Sequence, residues 1–329
     1  TEIAGNVRRK EQEAARMAEE TIAAVRGHQL QRAPADPAAL PPTQDAEGDG
    51  WRMWLGDNVE RLRDLPDGSV GLSVFSPPFA SLYTYSASAR DMGNCRDYAE
   101  FWLHFRFLIP ELLRVTMPGR RACVHVQQVP LLKARDGVIG AYDFRADMVR
   151  ECVAAGWVYD GEVVIDKDPQ AQAIRTHSKA LLFVQKERDA AWLRPAMADY
   201  ILLFRAPGDN PQPVKPGEDV SNEDWILWAR PIWYGIDETD TLNAAEAREE
   251  KDERHICPLQ LGTIERCIRL WSNRGDLVLD PFAGIGSTGY VARHHDRAFL
   301  GIELKRAYYD VACKNLAAAN RQLPLFSAP

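Results

Sequence analysis

The sequence contains no run of about 18 apolar residues, the length a membrane-spanning helix requires. A membrane protein is therefore not expected. Its first residues are charged and lack an apolar core, which predicts no secretory signal. The six cysteines (Cys95, Cys123, Cys152, Cys257, Cys267 and Cys313) form no C-x-x-C pair and no His/Cys cluster. Neither a disulfide framework nor a metal site is expected, and the thiols read as reduced in a cytoplasmic protein. No internal repeat is present. Positive charge is also scarce: 40 Lys and Arg face 47 Asp and Glu, a net charge of −7. That total weighs mildly against a nucleic-acid partner, but distribution matters more. Residues 114–150 carry seven basic against three acidic side chains, whereas residues 205–254 carry six against thirteen. The first stretch is the candidate phosphate-facing surface; an ordinary solvated mixture fits the same counts.

What is present is enough for one large α/β domain with appendages: 329 residues, 46% hydrophobic. Residues 2–26 read as a helix, and "GHQLQRAPADPAALPPTQDAEGDG" after it as a Pro/Gly/Asp-rich linker. Residues 1–50 are thus expected to form an arm outside the core. From residue 51, short apolar runs alternate with helical stretches. The strand candidates are "RMWL", "GLSVFS", "ACVHVQ", "WVYDGEVVI", "YILLF", "DLVLD" and "AFLGIE". Helices are expected over 97–116, 143–155, 170–188, 258–273, 287–294 and 306–320. Interleaving of this kind predicts a doubly wound, mostly parallel sheet. Ligands in such sheets sit beyond the carboxyl ends of the strands, where both "SPPF" (76–79) and "DPFAGIG" (280–286) fall.

The second of these stretches is the stronger signal. In "DLVLDPFAGIGSTGYVA" a strand ends at Asp280, glycines follow, and a helix opens near Ser287. Gly284 and Gly286 clear side chains from a place where a ligand approaches the backbone. Gly284, Gly286 and Gly289 also satisfy the dinucleotide fingerprint, with Glu303 at a distance that suits a ribose-binding acid. A nicotinamide-dependent oxidoreductase is therefore a competing reading. Two features favour another nucleoside. Asp280 stands where pyrophosphate would need bare amides, and its carboxylate suits a cation instead. Glu303 closes the next strand, placed to accept hydrogen bonds from ribose hydroxyls.

Together, "LVLDPFAGIGSTG", "GIEL" and "FSPPF" resemble the S-adenosylmethionine-dependent DNA amino-methyltransferases, over roughly residues 51–320. "SPPF" precedes the cofactor loop here, which resembles the permuted order of the family's β class. The resemblance implies a circularly permuted, Rossmann-like class I methyltransferase sheet of seven strands. It further implies that S-adenosyl-L-methionine is held by Asp57, Asn58, His255, Pro258, Asp280, Pro281, Phe282, Ala283, Gly284, Gly286 and Glu303. Asp57 and Asn58 would meet the adenine; His255 and Pro258 would lie near the methionine moiety. Ser76, Pro77, Pro78 and Phe79 would form the catalytic loop, on which a flipped base presents its exocyclic amine. Serine at position 76 leans towards N4 of cytosine, with N6 of adenine nearly level.

The same resemblance implies double-stranded DNA as partner. Target recognition is expected in the acidic insert of about 205–254, which holds Trp225, Trp228, Trp233 and Tyr234. Arg230 is its base-reading candidate; a Trp-stabilised loop packed on the sheet is the alternative. Arg175 and Lys179 are candidate phosphate contacts. So small a reader points to low specificity or to a homodimer. The tail 321–329 contains Gln322, Leu323, Leu325 and Phe326 in "QLPLF", which resembles the peptide that docks bacterial proteins on the DNA polymerase sliding clamp; packing on the protein's own sheet is the alternative. A bacterial or phage enzyme working in the cytoplasm on the nucleoid is expected. RNA or protein amide methylation and a catalytically silent DNA-binding module remain as further alternatives.

Overall fold

The computed structural model describes residues 43–79, 91–131, 133–169, 195–242 and 258–319. All seven predicted strands form. In chain order they are β2 (Trp51–Leu55), β3 (Val70–Phe75), β4 (Thr116–Gln127), β7 (Val158–Ile165), β8 (Asp199–Arg205), β10 (Leu277–Asp280) and β11 (Ala298–Glu303). Two short edge strands, β1 (Gln44–Gly48) and β9 (Ile232–Trp233), extend the sheet to nine in the order β1-β2-β11-β10-β3-β4-β8-β7-β9. β5 (Val129–Leu131) and β6 (Gly140–Tyr142) pair separately. β1 lies before the boundary expected at residue 51, so the sheet begins inside the predicted linker. β9, within the predicted insert, pairs in parallel with β7 and stitches that insert to the sheet.

The main helices are α1 (Asn58–Leu62), α2 (Tyr98–Val115), α3 (Phe144–Ala154), α4 (Asn222–Trp228), α5 (Leu261–Trp271), α6 (Ser287–His294) and α7 (Arg306–Ala319). Side chains alternate along the strands and so fill two cores. In β8, Leu202 and Phe204 join the core under α2 and α3, while Ile201 and Leu203 join the core under α5, α6 and α7. The sheet is buried on both faces, which explains its nearly continuous apolar strands.

Strands β2, β11, β10, β3 and β4 run parallel, and β8 enters antiparallel between β4 and β7. The connection after β10 runs through α6 to β11, and the connection after β3 runs through α2 to β4, on the opposite face and in the opposite direction. Adjacent β10 and β3 therefore mark the switch point of the winding, where the loops part and leave a crevice.

Candidate active site

That crevice holds a cavity enclosing about 1250 Å3 including its open mouth. Ser76, Pro77, Pro78 and Phe79 line it from the tip of β3, and Asp280, Pro281, Phe282, Ala283 and Gly284 from the tip of β10. Glu303 enters from β11, Asp57 and Asn58 from the end of β2, and Pro258 from the segment before α5. Two stretches far apart in sequence thus share one cavity. The aromatic rings bind the two halves: Phe282 lies 5.9 Å from Phe75 and 6.3 Å from Phe105, centroid to centroid.

The glycine-containing loop is held from within. Asp280 is buried; its Oδ1 accepts from the Phe282 amide at 2.9 Å and its Oδ2 from the Thr288 hydroxyl at 2.7 Å. Glu303 accepts from the Gly284 amide and from the Lys305 amide, both at 2.8 Å. Asn58 donates to the Pro281 carbonyl at 3.1 Å, and Asp57 caps α1 by accepting from the Glu60 amide at 3.1 Å. These two side chains brace the loop and the helix as well as lining the cavity. Burial pushes both Asp280 and Glu303 up to about 7, against the hydrogen bonds that favour their ionised forms. A cation placed beside Asp280 would reverse that burden.

The three glycines of the fingerprint separate by role. Gly284 has φ +53°, and a Cβ there would meet only the Phe282 carbonyl oxygen, at 4.0 Å; it would stand in the cavity's space. Gly286 does not itself line the cavity, although its neighbours Ile285 and Ser287 do. Its φ of +88° turns the chain into α6, and a Cβ would press on Ala312 at 3.2 Å. At Gly289 a Cβ would fall 2.4 Å from the Phe299 ring, so this glycine serves helix–strand packing.

The residues present fit S-adenosylmethionine: a loop open to a ligand at Gly284, a buried carboxylate for a cation, and a second carboxylate at the neighbouring strand tip. Sequence reasoning missed Asp91, Met92, Lys305 and Tyr308, which also line the cavity. It missed a second set entirely. The Ser76 hydroxyl lies 3.0 Å from Nδ1 of His125, and Nε2 of His125 lies 3.0 Å from Oδ2 of Asp199. The Lys167 ammonium contacts the same oxygen at 2.8 Å. Burial opposes ionisation of Asp199, but the His125 hydrogen bond and the Lys167 charge hold it below the usual carboxylate range. The available signal was positional: a lone histidine near the carboxyl end of an otherwise apolar strand.

Other expectations fare differently. Phe79 lines the cavity but also sets its ring edge-on to Phe144 at 5.5 Å. Arg230 is exposed between α4 and β9 and does not line the cavity. In the insert Trp233 is buried and donates to the Trp228 carbonyl at 2.9 Å, whereas Trp225 and Tyr234 are exposed. Five of the seven basic residues of 114–150 are ion-paired: Arg114 with Asp67 and Glu111, Arg120 with Asp276, Arg121 with Asp160, Arg145 with Glu162 and Arg150 with Asp147. The expected phosphate-facing surface is thus largely spent on neighbouring carboxylates. His255, Arg175, Lys179, Gln322, Leu323, Leu325 and Phe326 lie outside the described residues. No helix among the described residues is long and apolar enough to cross a membrane.

Residues 70–314 match the family model described as DNA methylase. The type II methyltransferase M.ScaI of Streptomyces caespitosus is 37% identical over 281 residues, covering 82% of this chain and 83% of that enzyme. M.Cfr9I of Citrobacter freundii, also a type II methyltransferase, is 26% identical over 296 residues, covering 83% and 90%. The Thermus thermophilus protein TTHA0409, solved with S-adenosyl-L-methionine, superposes with a TM-score of 0.61 at 26% identity over 82% of this chain and 94% of that one. A match that takes in β3 and its Ser76 tip, β10 and its Asp280 loop, and most of the sheet between settles the kinship. The chain belongs to the N6/N4 DNA methylase family and transfers the methyl group of S-adenosylmethionine to an exocyclic amine of DNA.

Proposed function

We propose that the base methylated is cytosine, at N4, and that the cavity receives it extruded from the duplex. The observation that carries this reading is the shared cavity of the Ser76 and Asp280 loops. Bound against Gly284, Asp280 and Glu303, S-adenosylmethionine supplies an electrophilic methyl on a sulfonium sulfur. The chain's task is to prepare a poor nucleophile, an amine whose lone pair is delocalised into its ring. Oγ of Ser76 and the carbonyl of Pro77 accept from the two amine hydrogens. This draws the nitrogen towards tetrahedral geometry and turns its lone pair to the methyl. Two prolines fix the loop backbone and carry no amide hydrogen to compete. Phe79 offers a ring face to the base; stacking of this kind is worth about 1–3 kcal/mol and offsets much of the few kcal/mol that extrusion costs. Ser76 in place of the aspartate common in adenine enzymes supports cytosine.

The catalytic domain begins with β1 at Gln44 and runs to about residue 320, with target recognition in the insert of 205–254 through Arg230 and the exposed Trp225 and Tyr234. Arg175 and Lys179 contact phosphates. The residues before β1 serve as an accessory arm. The tail 322–329 docks on the sliding clamp, and a homodimer enlarges the small recognition surface on the nucleoid. Incubating the enzyme with duplex DNA and S-adenosylmethionine, then identifying modified nucleosides by mass spectrometry, tests the central reading. N4-methylcytosine is expected with the intact chain, and about 10²–10³-fold more slowly with Ser76→Ala. N6-methyladenine as sole product would overturn the choice of base. Unchanged clamp binding after deletion of 322–329 would remove that role from the tail.

A further inference from the structure

A line of hydrogen-bonded side chains runs inward from Ser76. Its members come from four places: the tip of β3 (Ser76), the end of β4 (His125), the first residue of β8 (Asp199) and the residue pair after β7 (Lys167). All but Ser76 are buried or nearly so, and each contact is within hydrogen-bond distance. Ionised Asp199 can only accept, so Nε2 of His125 carries the hydrogen and Nδ1 presents its lone pair. The Ser76 hydroxyl then donates to Nδ1. This leaves the lone pairs of Oγ for a donor in the cavity. The Lys167 ammonium beside the same oxygen supplies charge that favours the ionised form of buried Asp199.

We propose that Ser76, His125, Asp199 and Lys167 form a relay that makes the serine a pure acceptor and carries off the proton the amine must lose. The relay rests on the methyl-transfer reading above and deepens it. In the step, the nitrogen lone pair forms the bond to the methyl carbon, and the electron pair of the carbon–sulfur bond returns to sulfur. One N–H proton passes to Oγ of Ser76 as the hydroxyl's own proton passes to Nδ1 of His125. The imidazolium, stabilised by Asp199, later returns its proton to solvent. His125 and Asp199 act through Ser76, so they are positioning residues.

The same residue types serve hydrolases, but this arrangement is not a hydrolase. There the histidine turns Nε2 to the serine, whereas here Nδ1 faces Ser76. The two positions after Ser76 are prolines and offer no amide to an oxyanion.

Single-turnover methylation at saturating DNA and cofactor tests the relay, with cofactor Kd and melting temperature measured alongside. Asp199→Asn keeps shape and, because Nε2 of His125 and the Lys167 ammonium meet the same oxygen, keeps an acceptor there. It removes the negative charge that shelters the imidazolium once the proton has passed. A loss of about 10²–10⁴-fold in rate is expected, with cofactor Kd within about twofold. His125→Asn, which can hydrogen-bond but cannot take the proton, should lose about 10²-fold or more. In a Ser76→Ala background both substitutions should cost little further, because they act through that hydroxyl. Full rate in His125→Asn, or losses that simply multiply with that of Ser76→Ala, would overturn the relay. Should Ser76→Ala itself keep full rate, the methyl-transfer site is misassigned and the failure lies there.

Discussion

At the scale of single residues, the site is a set of buried carboxylates with opposite habits. Asp199 is held low by the His125 hydrogen bond and the Lys167 charge, whereas Asp280 and Glu303 are pushed up to about 7 by burial. The sign follows from proton counting. A carboxyl raised in the native state holds more protons folded than unfolded, so stability falls as pH rises from about 4 through 7. Carboxylates held low, such as Asp199, act only as pH falls below about 4. The cofactor-free protein is therefore expected to melt at lower temperature at pH 8 than at pH 6, with the gap narrowing once S-adenosylmethionine is added. Cofactor affinity should run the other way. A cation beside Asp280 selects its ionised form, so Kd should weaken as pH drops from 8 to 6, approaching about tenfold per unit below 7. Calorimetry in buffers of different ionisation enthalpy would detect the released proton, and a pH-independent Kd would place the cation elsewhere. Ser76→Ala should lower kcat by about 10²–10³-fold and leave cofactor Kd unchanged. Ser76, Asp280 and Glu303 were legible in the sequence because each sits in a motif with a chemical reason. His125 was not: within "ACVHVQ" a single imidazole reads as a core residue, and its partners stand 49 and 74 positions away.

At the scale of elements, the glycine loop and its helix combine two jobs that one motif conceals. Gly284→Ala should leave packing intact, cost about 1 kcal/mol for its left-handed backbone, and weaken cofactor binding. Gly289→Ala should do the reverse: its Cβ would strike the Phe299 ring, costing about 1–3 kcal/mol in folding stability. Urea denaturation and cofactor titration on the two variants separate the roles; equal loss of cofactor affinity in both would refute the division. All seven central strands were readable because burial on both faces demands apolar runs. The edge strands were not. β1, "QDAEG", has only one apolar side chain, and β9 has two residues. Both exist because a neighbouring strand offers unpaired backbone groups, which no local composition announces.

At the scale of the molecule, net charge was a poor guide, and its distribution only a better one. The basic segment 114–150 spends most of its cations on adjacent carboxylates, so phosphate contact falls to other residues. Replacing Arg175 and Lys179 together by alanine should reduce the slope of log affinity against log salt by about 2 on duplex DNA. An unchanged slope would take both off the DNA. The reversed entry of β8 has a consequence for charge sign. Were this strand turned to match its neighbours, its far end would reach the crevice, and Arg205 would stand where Asp199 does. A guanidinium opposite His125 would oppose an imidazolium instead of sheltering it. The direction of one strand thus decides whether the hydroxyl at the rim has an electrostatic sink behind it.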